Sequence, residues 1–301
     1  MSSKILVTGA AGGVGSTARE AIRILLSKGR RVRAMVRTVD ERAESLKKMG
    51  AEVVVADLLD IIAVRDAMQG CAVVYFTMSV SASYLEAAMN MAVAAKNLGV
   101  EAFVNLSQMT VSQMSETATT NSTQQKQHWL AEQMLRWSGL PVVYLRPTAF
   151  YDGLFMPAAK GIREQNAIVL PFGEGKTSPI AGTDAGSAAA VILDNPAPHI
   201  GKVYELTGPE SMTMTGYAEA FSRGLGRTIR FVDTPPQVFE AKLRDLELPP
   251  HLRNHLIAMA DLHRQNRYDR LTSTFKELVG RPPMSAEEFA KKNIAVFSPA
   301  K

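Results

Sequence analysis

Five glycines punctuate the first half of the chain at the same point of a repeating phrase. Gly29, Gly50, Gly70, Gly99 and Gly139 each follow an amphipathic stretch and precede a short apolar or β-branched run. Glycine at such a point supplies the left-handed residue that ends a helix and turns the chain into the next strand. The stretches predicted as helices are Val14–Ser27, Asp40–Met49, Ile61–Met68, Ala82–Leu98 and Gln124–Trp137. The runs predicted as strands are Lys4–Val7, Arg31–Val36, Glu52–Ala56, Val73–Phe76, Ala102–Leu106 and Val142–Leu145. A series of this kind predicts an α/β fold, a doubly wound parallel sheet with helices on both faces.

After Pro147 the phrase breaks. Asp152–Arg163 reads as one helix, Ile168–Leu170 as a strand, and Phe172-Gly173-Glu174-Gly175 as a glycine-rich loop. Thr183–Leu193 reads as a helix with Thr183 at its N-cap, and Lys202–Leu206 as a strand returning to the sheet. From Thr213 onward the pattern is mostly helical, and Ser285 with Glu288 has the form of a capping box before the last helix. The expected organisation is a nucleotide-binding core over residues 1–150 and a smaller lobe over residues 151–301, of which 183–206 rejoins the sheet.

A hydrophobic content of 46% with 21% charged residues suits a soluble globular enzyme. The single cysteine, Cys71, has no partner within the chain and reads as a buried thiol in a reducing compartment. Met1 to Lys4 run straight into the first strand without signal-peptide character, and no apolar run has the length of a bilayer span. These features predict a cytoplasmic protein with no membrane partner. The net charge of +5 is scattered, and its densest group is Arg30, Arg31, Arg33 and Arg37 around one strand. Alternation along that strand turns Arg31, Arg33 and Arg37 the same way, which suits a phosphate pocket better than a nucleic-acid groove. No nucleic-acid partner is expected.

The sharpest local motif is Val7-Thr8-Gly9-Ala10-Ala11-Gly12-Gly13-Val14-Gly15, between a strand and a helix. Gly9 allows the tight turn, Gly12 clears the approach of a pyrophosphate, and Gly15 lets helix and strand pack closely. Thr8, Ala11, Gly13 and Val14 complete the loop, and the helix N-terminus offers N–H groups to the negative charge. No Gly-Lys-Ser/Thr follows, so this is not an NTPase phosphate loop. The second strand ends in Val36-Arg37, where a guanidinium can pair a ribose 2′-phosphate and offers no acceptor to a diol. NADP(H) is therefore the expected cofactor. Asp57 and Leu58 follow the third strand; Asp57 there suits a helix cap, and the motif's similarity to the short-chain dehydrogenase/reductases implies instead that the two meet the adenine.

The Gly-x-x-Gly-x-x-Gly spacing resembles that of the extended and atypical short-chain dehydrogenase/reductases. Together with Arg37, the stretch Ser138–Phe150 (SGLPVVYLRPTAF), Tyr204–Pro209 and Gly280-Arg281-Pro282-Pro283, it makes nearly the whole chain resemble the NmrA-like family. That family includes type 2 quinone reductases, triphenylmethane dye reductases and non-catalytic NADP(H) sensors. The resemblance implies a Rossmann-type core with a mostly helical C-terminal lobe.

Short-chain dehydrogenases carry Tyr-x-x-x-Lys on the helix before the sixth strand, where Tyr protonates a carbonyl oxygen and Lys holds the nicotinamide ribose. Anchoring on Ala131-Glu132 places Gln124 at the Tyr position and His128 at the Lys position, while Lys126 lies off that face. His128 is then expected to face the cofactor and to serve the reaction, and the tyrosine acid is missing. Ser107 aligns with the family's active-site serine. Phe150, Tyr151, Phe155 and Phe172 offer either a stacking surface for a flat acceptor or lobe core, and Tyr151 a hydroxyl from a new direction.

Reducing an ordinary ketone requires a placed proton donor, whereas a quinone or a cationic dye accepts hydride with little acid help. The expected function is an NADPH-dependent reductase of quinones or similar conjugated small molecules. The competing expectation is a non-catalytic NADP(H)-sensing regulator, and a homodimer is compatible with either. His251 and His255, with His263 further on, lack the Glu of a zinc-protease motif and have basic flanks, which predicts a surface helix and no metal. No Gly-x-Ser-x-Gly elbow supports a hydrolase.

Overall fold

The computed structural model describes residues 3–12 and 17–299. The first half alternates as the glycines require: β1 (Lys4–Val7), α1 (Thr17–Ser27), β2 (Val32–Val36), α2 (Glu41–Lys48), β3 (Glu52–Val55), α3 (Ile61–Met68), β4 (Cys71–Phe76), α4 (Tyr84–Leu98), β5 (Ala102–Leu106), α5 (Thr123–Trp137) and β6 (Val142–Pro147). All five return glycines hold positive φ, from 66° at Gly99 to 101° at Gly50. Helix starts are fixed by side-chain caps. Asp40 accepts from the first turn of α2, Asp60 from that of α3 and Ser122 from that of α5.

The second half comprises α6 (Tyr151–Phe155), α7 (Ala159–Gln165), β7 (Ala167–Leu170), α8 (Gly182–Asp194), β8 (Val203–Leu206), α9 (Met214–Leu225), β9 (Arg230–Asp233), α10 (Pro236–Asp245), α11 (Pro250–Arg264), α12 (Thr274–Val279), α13 (Ala286–Lys292) and α14 (Ile294–Phe297). Seven strands form one sheet in the order β3-β2-β1-β4-β5-β6-β8, and every pairing is parallel. Alternation along the strands feeds two cores. Ile5, Val7, Val32 and Ala34 pack with α1 and α8, while Leu6, Met35, Val74 and Phe103 pack with α3, α4 and α5. The strand order reverses between β1 and β4, which opens a crevice at the carboxyl ends of those two strands.

Three sequence expectations are corrected. The single helix over Asp152–Arg163 is two, α6 and α7, divided around Pro157, a residue that disrupts a helix interior. Thr183 lies inside α8, whose N-cap is Ala181. The lobe also contains β9, which pairs in parallel with β7 as a separate two-stranded sheet. The Ser285–Glu288 capping box is present. Ahead of it, Arg281 reaches the buried carboxylate of Asp184 at 2.7 Å and the Met284 N–H donates to the same group at 2.6 Å, tying the lobe's end to α8. No helix among the described residues is long and apolar enough to cross a membrane.

Candidate functional site

Thr8 clasps the two strands that flank the crevice. Its N–H donates to the Tyr75 carbonyl at 3.0 Å, and its hydroxyl donates to the Thr77 carbonyl at 2.8 Å and accepts from the Thr77 N–H at 2.9 Å. The next residue, Gly9, turns at φ 69°, and a Cβ there would stand 2.6 Å from the Thr77 carbonyl oxygen. Gly12 then donates to the Gly9 carbonyl at 2.9 Å, closing the turn. Ala11 packs partly against the core beneath. Gly13, Val14 and Gly15 lie outside the described residues.

Arg37 stands exposed one residue past the end of β2, without an ion pair among the described residues. The pocket of three arginines does not form. Arg33 is drawn to the other end of the sheet by Glu52 and by the carbonyls of Ala67 and Gln69. Asp57 is exposed, and its carboxylate accepts from the Leu59 N–H at 3.0 Å; the cap of α3 is Asp60 instead. Leu58 packs on the α3–α4 core, with its carbonyl held by Asn90 at 3.0 Å.

At the carboxyl end of β5, the Ser107 N–H donates to the Leu145 carbonyl at 2.7 Å, while its hydroxyl is buried without a partner among the described residues. Alternation puts Ser107 and Asn105 on the face of Phe103, toward α4 and α5. Asn105 is fully buried, and both polar atoms of its amide lack partners. On α5, Gln124 and His128 meet side chain to side chain at 3.2 Å, and the His128 ring lies 4.0 Å from that of Tyr84 between centroids. Burial, and then the neighbouring His255, lower the imidazole to about 3, so it is neutral near pH 7. The His128 Nδ1 and the Tyr84 hydroxyl are also buried and have no partner among the described residues. Orphaned donors and acceptors of this kind are costly in an apolar interior and suit a bound polar molecule. Asn105 and Tyr84 were missed from the sequence, although a lone Asn in the apolar run Ala102-Phe103-Val104-Asn105-Leu106 was a usable signal.

The lobe aromatics lie elsewhere. Tyr151 and Phe155 are 0% exposed and pack into a cluster with Tyr217, Phe221 and Phe289. The Tyr151 hydroxyl is buried and its pKa is driven up by burial, so it presents no acid to the crevice. Phe172 stacks flat on His263 at 4.0 Å. Its loop is a packing device, because a Cβ on Gly175 would fall 1.9 Å from the His263 carbonyl oxygen. Tyr151, Phe155 and Phe172 are therefore core residues rather than an acceptor surface, and only Phe150 is partly exposed. The histidines of α11 are not free on its surface: His251 and His255 are half-buried and hydrogen-bonded. His251 reaches the Gln124 amide oxygen at 2.8 Å, His255 meets Ser122 at 2.9 Å, and His263 is fully buried. Residues 1–290 match the NmrA-like family.

The chain belongs to that family.

This NmrA-like protein is 28% identical over 298 residues to an NAD(P)H azoreductase from Xenophilus azovorans, covering 98% of this chain and 100% of that protein. The structure of an NADPH-dependent quinone oxidoreductase from Escherichia coli, in complex with NADPH, matches it with a TM-score of 0.81 at 25% identity, over 96% of this chain and 99% of that one. A negative transcriptional regulator in complex with NADP matches with a TM-score of 0.80 at 20% identity, over 98% and 96%, a likeness of fold alone. NADP(H) is the cofactor that these neighbours hold. The NmrA-like residues described above fit such a group. The Gly9 turn leaves room only for hydrogen against Thr77, and among the described residues Arg37 is a cation without an ion pair one residue past β2 and orphaned polar atoms lie beyond β5.

Proposed function

We propose that this protein is an NADPH-dependent oxidoreductase that passes hydride to a quinone or a similarly conjugated small molecule. The class and the cofactor rest on the full-length kinship with NAD(P)H reductases. The acceptor class rests on one observation: His128, at the site's Lys position, is held neutral beside an amide. Bound in the crevice, the nicotinamide supplies the hydride. The chain's own part is to hold it. Thr8, Gly9, Ala11 and Gly12 shape the turn for the pyrophosphate, with Gly13, Val14 and Gly15 assigned by sequence, Arg37 takes the 2′-phosphate, and Asp57 and Leu58 border the adenine. Ser107 and His128 orient an oxygen. With Tyr151 sealed in the lobe core and Gln124 unable to release a proton, an acceptor that takes hydride without acid is favoured.

The same reading takes residues 1–150 as the NADP-binding core and 151–301 as the lobe, with 183–206 returning to the sheet. It expects the protein in the cytoplasm with no nucleic-acid partner, and a homodimer is compatible with it. The burial of Tyr151, Phe155 and Phe172 removes one argument for an acceptor pocket, and so favours the second reading, a regulator that binds NADP(H) and turns nothing over. An NADPH-oxidation panel of quinones, azo and triphenylmethane dyes, nitroarenes, enones and aliphatic ketones separates the two. Saturable oxidation with quinones or dyes and little with aliphatic ketones is expected. Tight NADPH binding with no oxidation across the panel establishes the regulator.

A further inference from the structure

Gln124 sits at the centre of a hydrogen-bond chain whose polarity can be worked out atom by atom. The backbone N–H of Ser81 can only donate, and it points at one side-chain atom of Gln124 at 3.0 Å. That atom must be the amide oxygen, which removes the usual ambiguity of an amide flip. The same oxygen lies 2.8 Å from Nε2 of His251, so His251 carries its proton there and donates as well. The amide nitrogen is thereby turned toward Nε2 of His128 at 3.2 Å, and an amide nitrogen has only protons to give. Nε2 of His128 is the acceptor.

We propose that Gln124 is a positioning residue that fixes neutral His128 as its Nδ1–H tautomer, so that His128 presents an N–H donor to an oxygen of the bound NADP(H). The inference rests on the proposed cofactor site and deepens it. Nδ1 is the ring atom that is buried and has no partner. A buried N–H without an acceptor is costly, and a ribose hydroxyl or carboxamide oxygen relieves that cost. Two separate elements set the amide: the loop after β4 through Ser81, and α11 of the lobe through His251. The lobe is thereby coupled to His128 through the Gln124 amide.

The test is the tautomer itself, read from long-range proton–nitrogen correlations of the His128 ring in the full-length protein, with and without NADP+. Wild type is expected to show a protonated Nδ1 and a bare Nε2, and NADP+ is expected to shift the Nδ1 resonance. Gln124→Glu offers Nε2 a carboxylate in place of a donor, so Nε2 becomes protonated. Gln124→Met removes the donor without supplying an acceptor and leaves a mixture of tautomers. Each variant should weaken NADP+ about tenfold, the loss of one well-placed hydrogen bond. A protonated Nε2 in wild type, or a ring pattern unchanged in Gln124→Glu, overturns the proposal. These spectra need no acceptor turnover, so an Nδ1–H wild type that oxidises no NADPH refutes the reductase reading and leaves this one standing.

Discussion

The carbonyl oxygen of Thr77 lies 2.6 Å from the point where a Cβ on Gly9 would stand. The contact joins the phosphate turn to the end of β4, and it leaves an alanine nowhere to go. Gly9 also holds φ at 69°, a region that costs an L-residue about 1–2 kcal/mol before any clash. Gly9→Ala is expected to lower stability by at least that amount and to open the turn. Thermal unfolding and an NADPH titration check it; an unchanged melting temperature with unchanged affinity shows that the turn is not built on this contact.

Arg37 makes no ion pair among the described residues, so its replacement should leave the fold alone. Arg37→Glu is expected to raise the NADPH dissociation constant roughly 10- to 100-fold, the worth of a charge-assisted hydrogen bond, and to favour NADH. Stability should move by less than about 0.5 kcal/mol. Direct titration with both nucleotides decides it, and wild-type preference for NADH rejects the assignment.

Phe155 separates a core role from a substrate role. Its ring lies 4.6 Å from Phe221 and 5.9 Å from Tyr151 between centroids, fully buried. Phe155→Ala is expected to cost about 3–5 kcal/mol of stability. The acceptor KM of the protein that remains folded should be essentially unchanged. A raised KM at full stability restores Phe155 to the acceptor site.

The sheet was legible because its signals are local. Gly29, Gly50, Gly70, Gly99 and Gly139 each need only their own neighbours to mark a return, and all five do so in the structure. The tight turn at Gly9 was legible for the same reason, and that residue holds φ at 69°. The lobe was not. Pro157 was not weighed as the end of α6, and β9 is a four-residue edge with little burial. His251 and His255 read as surface residues because their partners, Gln124 and Ser122, lie 127 and 133 positions away. Nothing in a helical window can report a contact made at that distance.

His263 gives the protein a pH dependence of known sign. Burial lowers it to about 4, against the opposing pull of the Met259 carbonyl, which accepts its Nδ1 proton at 2.7 Å. In the unfolded chain the ring titrates near 6.5. Between those values the unfolded state holds more protons, so stability is full above about pH 6.5 and falls as pH drops toward 4. For this one ring the loss is about 3 kcal/mol. Urea unfolding across this window should show the slope, to which the similarly lowered His128 and His255 add, and His263→Phe, which keeps a ring against Phe172, should reduce it by this one ring's share. An unaltered slope in that variant shows that His263 is not its source.

The order in which the chain is synthesised meets an obstacle in α8. Ala185, Ala188, Ala189, Ile192 and Leu193 of that helix cover the same core as Ile5, Val7 and Ile22, which come far earlier in the sequence. Between them the ribosome must deliver the first strand of the lobe, β7, which pairs with β9. A nascent chain of about 150 residues therefore carries a nearly complete sheet with one apolar face covered by α1 and α2 but not yet by α8, and β6 still lacks its neighbour β8. Such a face is a natural client for a holding chaperone until α8 emerges. A fragment ending at residue 150, produced alone, should collect in aggregates, whereas one carried through β8 has both the cover and the edge strand that the sheet requires.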